Sequence, residues 1–280
     1  LRNMSHYEGL VGFLGADLQD GRRYSGLHNQ GWKDTYQVYQ DDKGLAKHPI
    51  KDVLVNAEAW AALQFGWEEF KDEDLELAGR LRMTAETLRK LFNDPEKGFL
   101  LKDETYFAQA IDGKGRQLPQ LSADVGMCLW AFCQDDCVID YPYVDRVVEK
   151  ITQPELFNPV AGVRSYALGT EFHYGSTRYH GSPYTYWPFV SGLAARGLLH
   201  FGYGDQAAKI MTAYLLAVKH FQSNIEMFTE TSDHRLVPWH HPELEQQSAI
   251  QQAWTSAAVY YASLYLLDTS RKNLRSRQHA

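Results

Sequence analysis

The sequence predicts an all-α protein in which antiparallel pairs of helices form a toroid. Hydrophobic residues recur at helical spacing along much of the chain, and short polar turns join successive helices into hairpins. Strands do not alternate with helices, which excludes a parallel α/β sheet. Hairpins that each need a neighbour to cover an apolar face indicate a toroid or a solenoid, and the absence of a strict sequence period disfavours a solenoid.

The first helical hairpin is predicted between Pro49 and Phe92. Pro49 occupies the favoured first turn of a helix that extends to about Phe70. Asp72 is expected to cap the second helix, whose first turn carries the acidic residues that the helix dipole favours. The sequence at 93–95, Asn-Asp-Pro, ends this helix.

The rest of the chain combines further helices with a small β-hairpin and two long irregular segments. Residues 98–101 and 105–111 are predicted to form the hairpin. The irregular segments, 153–183 and 223–245, are rich in polar and aromatic residues, and loops of this length inside a compact domain are usually functional. Further helices are predicted from Ser122 to about Cys133, from Pro142 to Ile151, from Trp187 to Phe201, from Asp205 through Val218 and from Gln246 to Asp268.

Composition limits the possible partners. The 280 residues contain no linker-like stretch, so residues 1–280 are predicted to form a single domain. The net charge of -7 argues against nucleic acid or an anionic membrane as a partner. No apolar segment reaches transmembrane length, and an odd count of 3 cysteines fits a reducing, cytoplasmic compartment.

The sequence gives no sign of a metal or a cofactor. Cys128, Cys133 and Cys137 lack histidine partners at zinc-ligand spacing. The histidines do not form a helical His-x-x-x-His pattern. Neither a phosphate-binding glycine loop, nor a nucleophile elbow, nor a dinucleotide fingerprint is found.

Residues 26–34, Gly-Leu-His-Asn-Gln-Gly-Trp-Lys-Asp, follow neither a helical nor a strand period. An indole face beside amide groups suits a sugar ring, which offers apolar C–H surface and hydroxyl groups. Asp34 would then be the reactive group. The alternative is a capped turn in which Asp34 makes an ordinary salt bridge to Lys33 or another cation.

A second carboxylate in an irregular, aromatic segment is Glu226. Hydrolysis of a glycoside requires one carboxylic acid that protonates the leaving oxygen and one carboxylate that activates water or attacks carbon. Asp34 and Glu226 are the candidates for this pair. Glu230 and Glu243 lie in the same segment as Glu226 and remain alternatives to it.

Three motifs together resemble the amylo-α-1,6-glucosidase, or glycogen-debranching-like, glycoside hydrolases, which are related to trehalases, processing α-glucosidases and mannosylglycerate hydrolase. Residues 26–34 resemble the family signature GL-x-NQGWKDS. Residues 179–182 and 187–188 resemble YH-x-GS-x-WP, and residues 252–254 resemble the end of PQAW. The helix at 56–60 matches the family's EVQAY helix only loosely.

The resemblance implies a six-hairpin (α/α) barrel that cleaves a terminal, α-glucosidic bond with inversion. By carry-over, Asp34 is the general acid and Glu226 is the general base. The substrate would be an oligosaccharide or a small glycoside, and no cofactor is implied. Residues that the resemblance and the loose helix match place at the sugar site are Asn29, Gln30, Trp32, Lys33, Glu58, His180, Trp187 and Trp254.

The chain also departs from the family pattern. Met127 stands where the family motif SN-x-GH-x-LW has a polar ring, and residues 183–186 lengthen the second motif. The prolines before the base and before the last motif are absent. The chain contains fewer helices than six hairpins need, so we expect the barrel to be incomplete and to lack its N-terminal hairpins.

Two other classes of function fit the same features. A non-catalytic carbohydrate-binding or regulatory relative would use the aromatic cleft without turnover. An (α/α) toroid lyase or isomerase would use a tyrosine or histidine base, for which Tyr179 and His180 are candidates. The sequence leaves the sugar, its linkage and anomer, and the oligomeric state open.

Overall fold

The computed structural model describes residues 4, 8–15, 28–35, 38–41, 44–103, 106–170, 179–241 and 245–278. Helices dominate this part of the chain, and short strands connect them. The helices are α1 (Val53–Phe70), α2 (Leu75–Phe92), α3 (Asp124–Cys128), α4 (Tyr141–Ile151), α5 (Pro188–His200), α6 (Gly204–Phe221) and α7 (Ala253–Gln278).

Two helical hairpins provide the main packing. Helix α1 packs along α2, and α5 packs along α6, while α7 covers both α5 and α6. The cap of α2 differs from the prediction, because Asp74 rather than Asp72 accepts the hydrogen bond from the Leu77 N–H, at 2.9 Å. The main chain still turns between Phe70 and Asp74, whose N–H donates to the Phe70 carbonyl, so α2 begins later than predicted.

Twelve very short strands form five small antiparallel sheets within the described residues. Residues 98–111 make only part of the predicted hairpin, through an isolated bridge between Leu100 and Phe107. The pairs are β1–β2 (Gln40–Asp41, Gly44–Leu45), β6–β7 (Phe132–Cys133, Asp136–Cys137) and β8–β9 (Phe157–Asn158, Gly162–Val163). The three-stranded sheets are β3–β4–β5 (Lys51–Asp52, Ala110–Ile111, Gln117–Leu118) and β10–β11–β12 (Thr185–Tyr186, Phe228–Glu230, Leu236–Pro238).

The helix predicted from Ser122 to Cys133 is much shorter in the structure. Helix α3 ends at Cys128, and residues 132–133 instead pair with residues 136–137. Helix α5 approaches this region closely, because a Cβ atom placed on Gly197 would lie 2.6 Å from the carbonyl carbon of Leu129. This backbone contact joins the second hairpin to α3.

The apolar core lies between the two hairpins and α3, and Trp60, Val125 and Leu198 are completely buried in it. The three cysteines are also buried and free. Among the described residues, no helix has both the length and the apolar character needed to cross a membrane. No group of three or more His, Cys, Asp or Glu side chains in the same part of the chain is placed to hold a metal ion.

Candidate active site

A cavity of about 260 Å³ opens where the loop that ends at Asp34 meets the N-terminal ends of α5 and α7. Trp187 occupies the N-cap position of α5, and Trp254 lies in the first turn of α7. Glu226 comes from the segment just before β11. The residues that line the cavity are Trp32, Asp34, Tyr179, His180, Trp187, Phe189, Glu226 and Trp254.

The walls of the cavity are closely packed aromatic rings. The His180 ring stacks on Trp187 with centroids 5.0 Å apart and an interplanar angle of 11°. Trp32 stands nearly perpendicular to both rings, at centroid distances of 5.2 Å from His180 and 5.9 Å from Trp187. The buried indole N–H of Trp187 donates to no acceptor within the described residues. The cavity therefore presents apolar ring faces, the kind of surface that packs against the C–H face of a sugar.

Asp34 lies at the mouth of this aromatic cluster, with its side chain 41% exposed. Partial burial raises the pKa of its carboxyl group, against a backbone hydrogen bond that lowers it. Its Oδ1 atom is 3.4 Å from Nδ1 of His180. Burial, with a smaller contribution from Lys33, lowers the pKa of His180 to about 3, so at neutral pH the imidazole adds no positive charge beside Asp34.

Glu226 is tied to the segment that precedes α7 by a reciprocal pair of hydrogen bonds. Its main-chain N–H donates to the Ala249 carbonyl at 2.9 Å, and its Oε2 atom accepts from the Ala249 N–H at 2.9 Å. These bonds orient the carboxylate with a rigid backbone donor. The side chain lines the same cavity as Asp34.

The two alternatives to Glu226 differ in their situation. Glu230 does not line the cavity, and its carboxylate accepts from Arg164 at 2.9 Å and Tyr186 at 2.7 Å, with His234 at 2.8 Å. Burial acts to raise the pKa of Glu230, but these hydrogen bonds outweigh it and lower the pKa to about 2. Glu243 lies outside the described residues.

The charges of both cavity carboxylates act on the phenol of Tyr179. Burial first, and then the charges of Glu226 and Asp34, raise the pKa of its phenol to about 12. A phenol with this pKa stays protonated near neutral pH, which makes Tyr179 a poor base for lyase chemistry and a good hydrogen-bond donor.

Four residues that the sequence analysis places at the sugar site do not line the cavity. The Asn29 amide is buried and donates to the Thr35 carbonyl at 2.7 Å, which closes the loop on itself. Gln30 is exposed and donates to the Leu14 carbonyl at 2.8 Å. Glu58 is exposed on α1, although partial burial raises its pKa, and it is not among the residues that line the cavity.

Lys33 is the fourth of these residues, and it is only 1% exposed. Its ammonium group contacts the Asp124 carboxylate and lies 3.9 Å from the centroid of the Tyr166 ring. Asp124 also accepts from the Trp32 indole N–H at 2.6 Å and the Ser122 hydroxyl at 2.7 Å. The sequence analysis missed this role of Asp124, for which the available signal was an aspartate within an otherwise apolar stretch.

The fold is similar to that of several solved structures. Neutral trehalase from Saccharomyces cerevisiae superposes with a TM-score of 0.57 at 15% identity, covering 81% of this chain and 40% of that chain. GH63 mannosylglycerate hydrolase from Thermus thermophilus gives a TM-score of 0.53 at 12% identity, covering 76% and 45% of the two chains. An uncharacterized conserved protein from the same organism gives 0.51 at 15% identity, covering 75% and 46%.

These similarities confirm the helical, (α/α) glycosidase-like fold class in outline. The chain spans less than half the length of each of these neighbours, and closure of the barrel stays a prediction. No family model matches the sequence, and no curated protein does. The debranching-like specificity therefore also stays a prediction.

Proposed function

We propose that this chain carries the active site of a glycoside hydrolase that cleaves a terminal glycosidic bond with inversion, with Asp34 as general acid and Glu226 as general base. The observation that carries the proposal is the presence of both carboxyl groups in one aromatic-walled cavity. An inverting glycosidase needs such a pair on opposite sides of the sugar, one to protonate the leaving oxygen and one to activate water.

The electrostatics of the cavity support this division of roles. A general acid must hold its proton near neutral pH, and the pKa of Asp34 is raised by burial beside a neutral His180. The Ala249 N–H donates to the Glu226 carboxylate and fixes its orientation, which a general base needs in order to position water.

The volume and lining of the cavity support a single sugar ring as the bound group. Apolar faces of Trp32, Trp187 and Trp254 would pack against its C–H surface, and His180 would contact a hydroxyl group. Asn29, Gln30, Lys33 and Glu58 are not assigned to this contact surface. The trehalase among the similar structures and the sequence resemblance both favour an α-glucosidic bond, so trehalose and an aryl α-glucoside are the first substrates to test.

The test compares Asp34→Asn and Glu226→Gln with Glu230→Gln, which alters a glutamate of strand β11 that does not line the cavity. We expect kcat/KM on trehalose, whose leaving oxygen needs a proton, to fall by ~10²–10⁴-fold in the first two variants, the range for general acid–base catalysis. Glu230→Gln should retain activity once its folded fraction is matched by circular dichroism. Proton NMR of the first product formed should show inversion.

Two results would contradict the assignments. Activity that survives both Asp34→Asn and Glu226→Gln would exclude the pair. Activity abolished by Glu230→Gln but not by Glu226→Gln would move the base to Glu230. Sugar binding by calorimetry without any turnover would instead favour a non-catalytic carbohydrate-binding protein.

A further inference from the structure

One buried carboxylate, on Asp124, binds two consecutive side chains of the loop that ends at Asp34. Its Oδ1 atom accepts from the Trp32 indole N–H at 2.6 Å, and its Oδ2 atom contacts the Lys33 ammonium. Asp124 begins helix α3, 90 positions further along the chain than Asp34. The loop is therefore fixed to a helix of the core through the two residues that immediately precede Asp34.

Asp124 does not reach the cavity itself. Its side chain is 1% exposed, as is that of Lys33, and it is not among the residues that line the cavity. A group in this position cannot touch a bound sugar, so any effect it has on the reaction must pass through the side chains that it holds. Hydrogen bonds to an ionised carboxylate are stronger and shorter than neutral ones, which makes this a firm attachment.

The residue after Asp34 is also held. The Thr35 carbonyl accepts from the Asn29 amide at 2.7 Å, and the Thr35 hydroxyl lies 2.8 Å from Nδ1 of His180. Asp34 thus lies between two residues whose side chains are both engaged, which restricts the direction in which its own carboxyl group points. The hydrogen bonds of Thr35 join the loop to itself and to His180 in the cavity wall. The contacts of Asp124 instead join the loop to helix α3 in the core.

We propose that Asp124 is a positioning residue for Asp34. This inference rests on the proposed function, since it assigns Asp124 the task of holding the general acid at the leaving oxygen. Loss of the Asp124 carboxylate frees the Trp32 and Lys33 side chains and lets the carboxyl group of Asp34 shift. A misplacement of about 1 Å can cost ~10²-fold in rate.

The test uses the dependence of rate on the leaving group. Trehalose needs a proton on its leaving oxygen, whereas fluoride leaves from α-D-glucosyl fluoride without one, and both reactions use the same general base. We expect Asp124→Asn to lower kcat on trehalose by ~10–100-fold, with at most about a threefold loss on the fluoride. Asp34→Asn should show the same selectivity more strongly.

The matched control is Asp112→Asn, which alters another buried aspartate. Asp112 is 1% exposed and pairs with Arg116 at 2.7 Å, but it does not line the cavity. A merely structural effect of losing a buried carboxylate would lower both rates together in either variant. Equal losses on the two substrates in Asp124→Asn, or the same selectivity in Asp112→Asn, would overturn the inference.

A second variant and a second measurement test the proposal even if Asp124→Asn does not fold. If that variant fails to fold, Lys33→Met with Asp124→Leu removes the ion pair as a unit and should show the same selective loss. Amide hydrogen exchange of residues 28–35 tests the attachment without any substrate. Exchange should rise at least tenfold in the Asp124 variants and stay unchanged in Asp112→Asn, and unchanged exchange in both would refute the attachment.

The two proposals fail in different ways. A parent chain that hydrolyses neither trehalose nor the fluoride overturns the proposed function, together with the catalytic role of Asp124. A parent chain that hydrolyses both, with a selective loss in Asp34→Asn but not in Asp124→Asn, keeps the proposed function and overturns only the positioning role.

Discussion

Asp52 is a buried carboxylate whose ionisation should make the stability of the fold depend on pH. It caps helix α1, where its Oδ1 atom accepts from the Val55 N–H at 2.9 Å, and its Oδ2 atom accepts from the Tyr39 hydroxyl at 2.6 Å. Burial is the main cause that raises its pKa to about 6, and the nearby Asp124 carboxylate adds to it. The two hydrogen bonds and the charge of Lys33 act in the opposite direction.

The size and sign of the effect follow from these values. The pKa rises from 3.8 to about 6 on folding, and at 1.36 kcal/mol per pKa unit this corresponds to about 3 kcal/mol. Because the folded state favours the protonated form, the stabilising contribution is fully present below pH 3.8 and is lost as pH rises through about 6. Asp52→Asn cannot ionise, so its unfolding free energy lacks this decline.

The measurement is urea denaturation of the parent and Asp52→Asn at intervals between pH 4 and pH 8. The unfolding free energy of the parent, minus that of the variant, should fall by about 2–3 kcal/mol between these limits. Asp74→Asn, which alters the exposed cap of α2, controls for the change of a capping side chain. A difference for Asp52→Asn that is constant with pH, or that grows as pH rises, would refute the reasoning.

Two further predictions concern packing and buried charge. Gly197→Ala should lower the unfolding free energy by ~1–3 kcal/mol, since the new Cβ would meet the Leu129 backbone, whereas Gly79→Ala, in open space on α2, should raise it by ~1 kcal/mol. Thermal unfolding of the pair checks this, and equal shifts would contradict the close approach of α5 to α3. Lys33→Met should cost ~3–5 kcal/mol because it leaves Asp124 buried without its partner, and adding Asp124→Leu should recover most of that cost. Chemical denaturation of the single and double variants measures these free energies. If the two substitutions lower the unfolding free energy by amounts that simply add, Lys33 and Asp124 do not interact energetically.

Hydrophobic periodicity accounts for the long helices and fails for the short elements. Helices α1, α2 and α6 each extend over many turns, so an apolar stripe at helical spacing is visible in the sequence. Helix α3 is completely buried and has no polar face, so its end at Cys128 leaves no mark in the pattern. Strands of two or three residues are too short to show an alternation, so the sequence predicts only the segment that contains β4 and misses the other strands.

Some residues of the candidate site can be identified from their neighbours in the sequence, and others cannot. Trp32 and Asp34 lie in one stretch whose composition is unusual, which identifies them from the sequence. Other aromatic segments contain or adjoin the remaining candidates, His180, Trp187, Glu226 and Trp254. All six line the cavity. An aspartate in an apolar stretch marks Asp124 as unusual, but its partner Lys33 lies 91 positions away and the sequence does not indicate it.

The loop around Asp34 combines an ammonium group and a proposed general acid at adjacent positions, which would oppose each other if both faced the cavity. An ammonium group beside Asp34 would favour the ionised carboxylate and lower its pKa. The Lys33 side chain is instead turned into the core, where Asp124 partners its charge. Of the two residues, Asp34 lines the cavity beside a neutral imidazole, and partial burial raises the pKa of its carboxyl group, the direction that suits a proton donor. The contact that fixes the loop is thus the same contact that keeps a positive charge away from the acid.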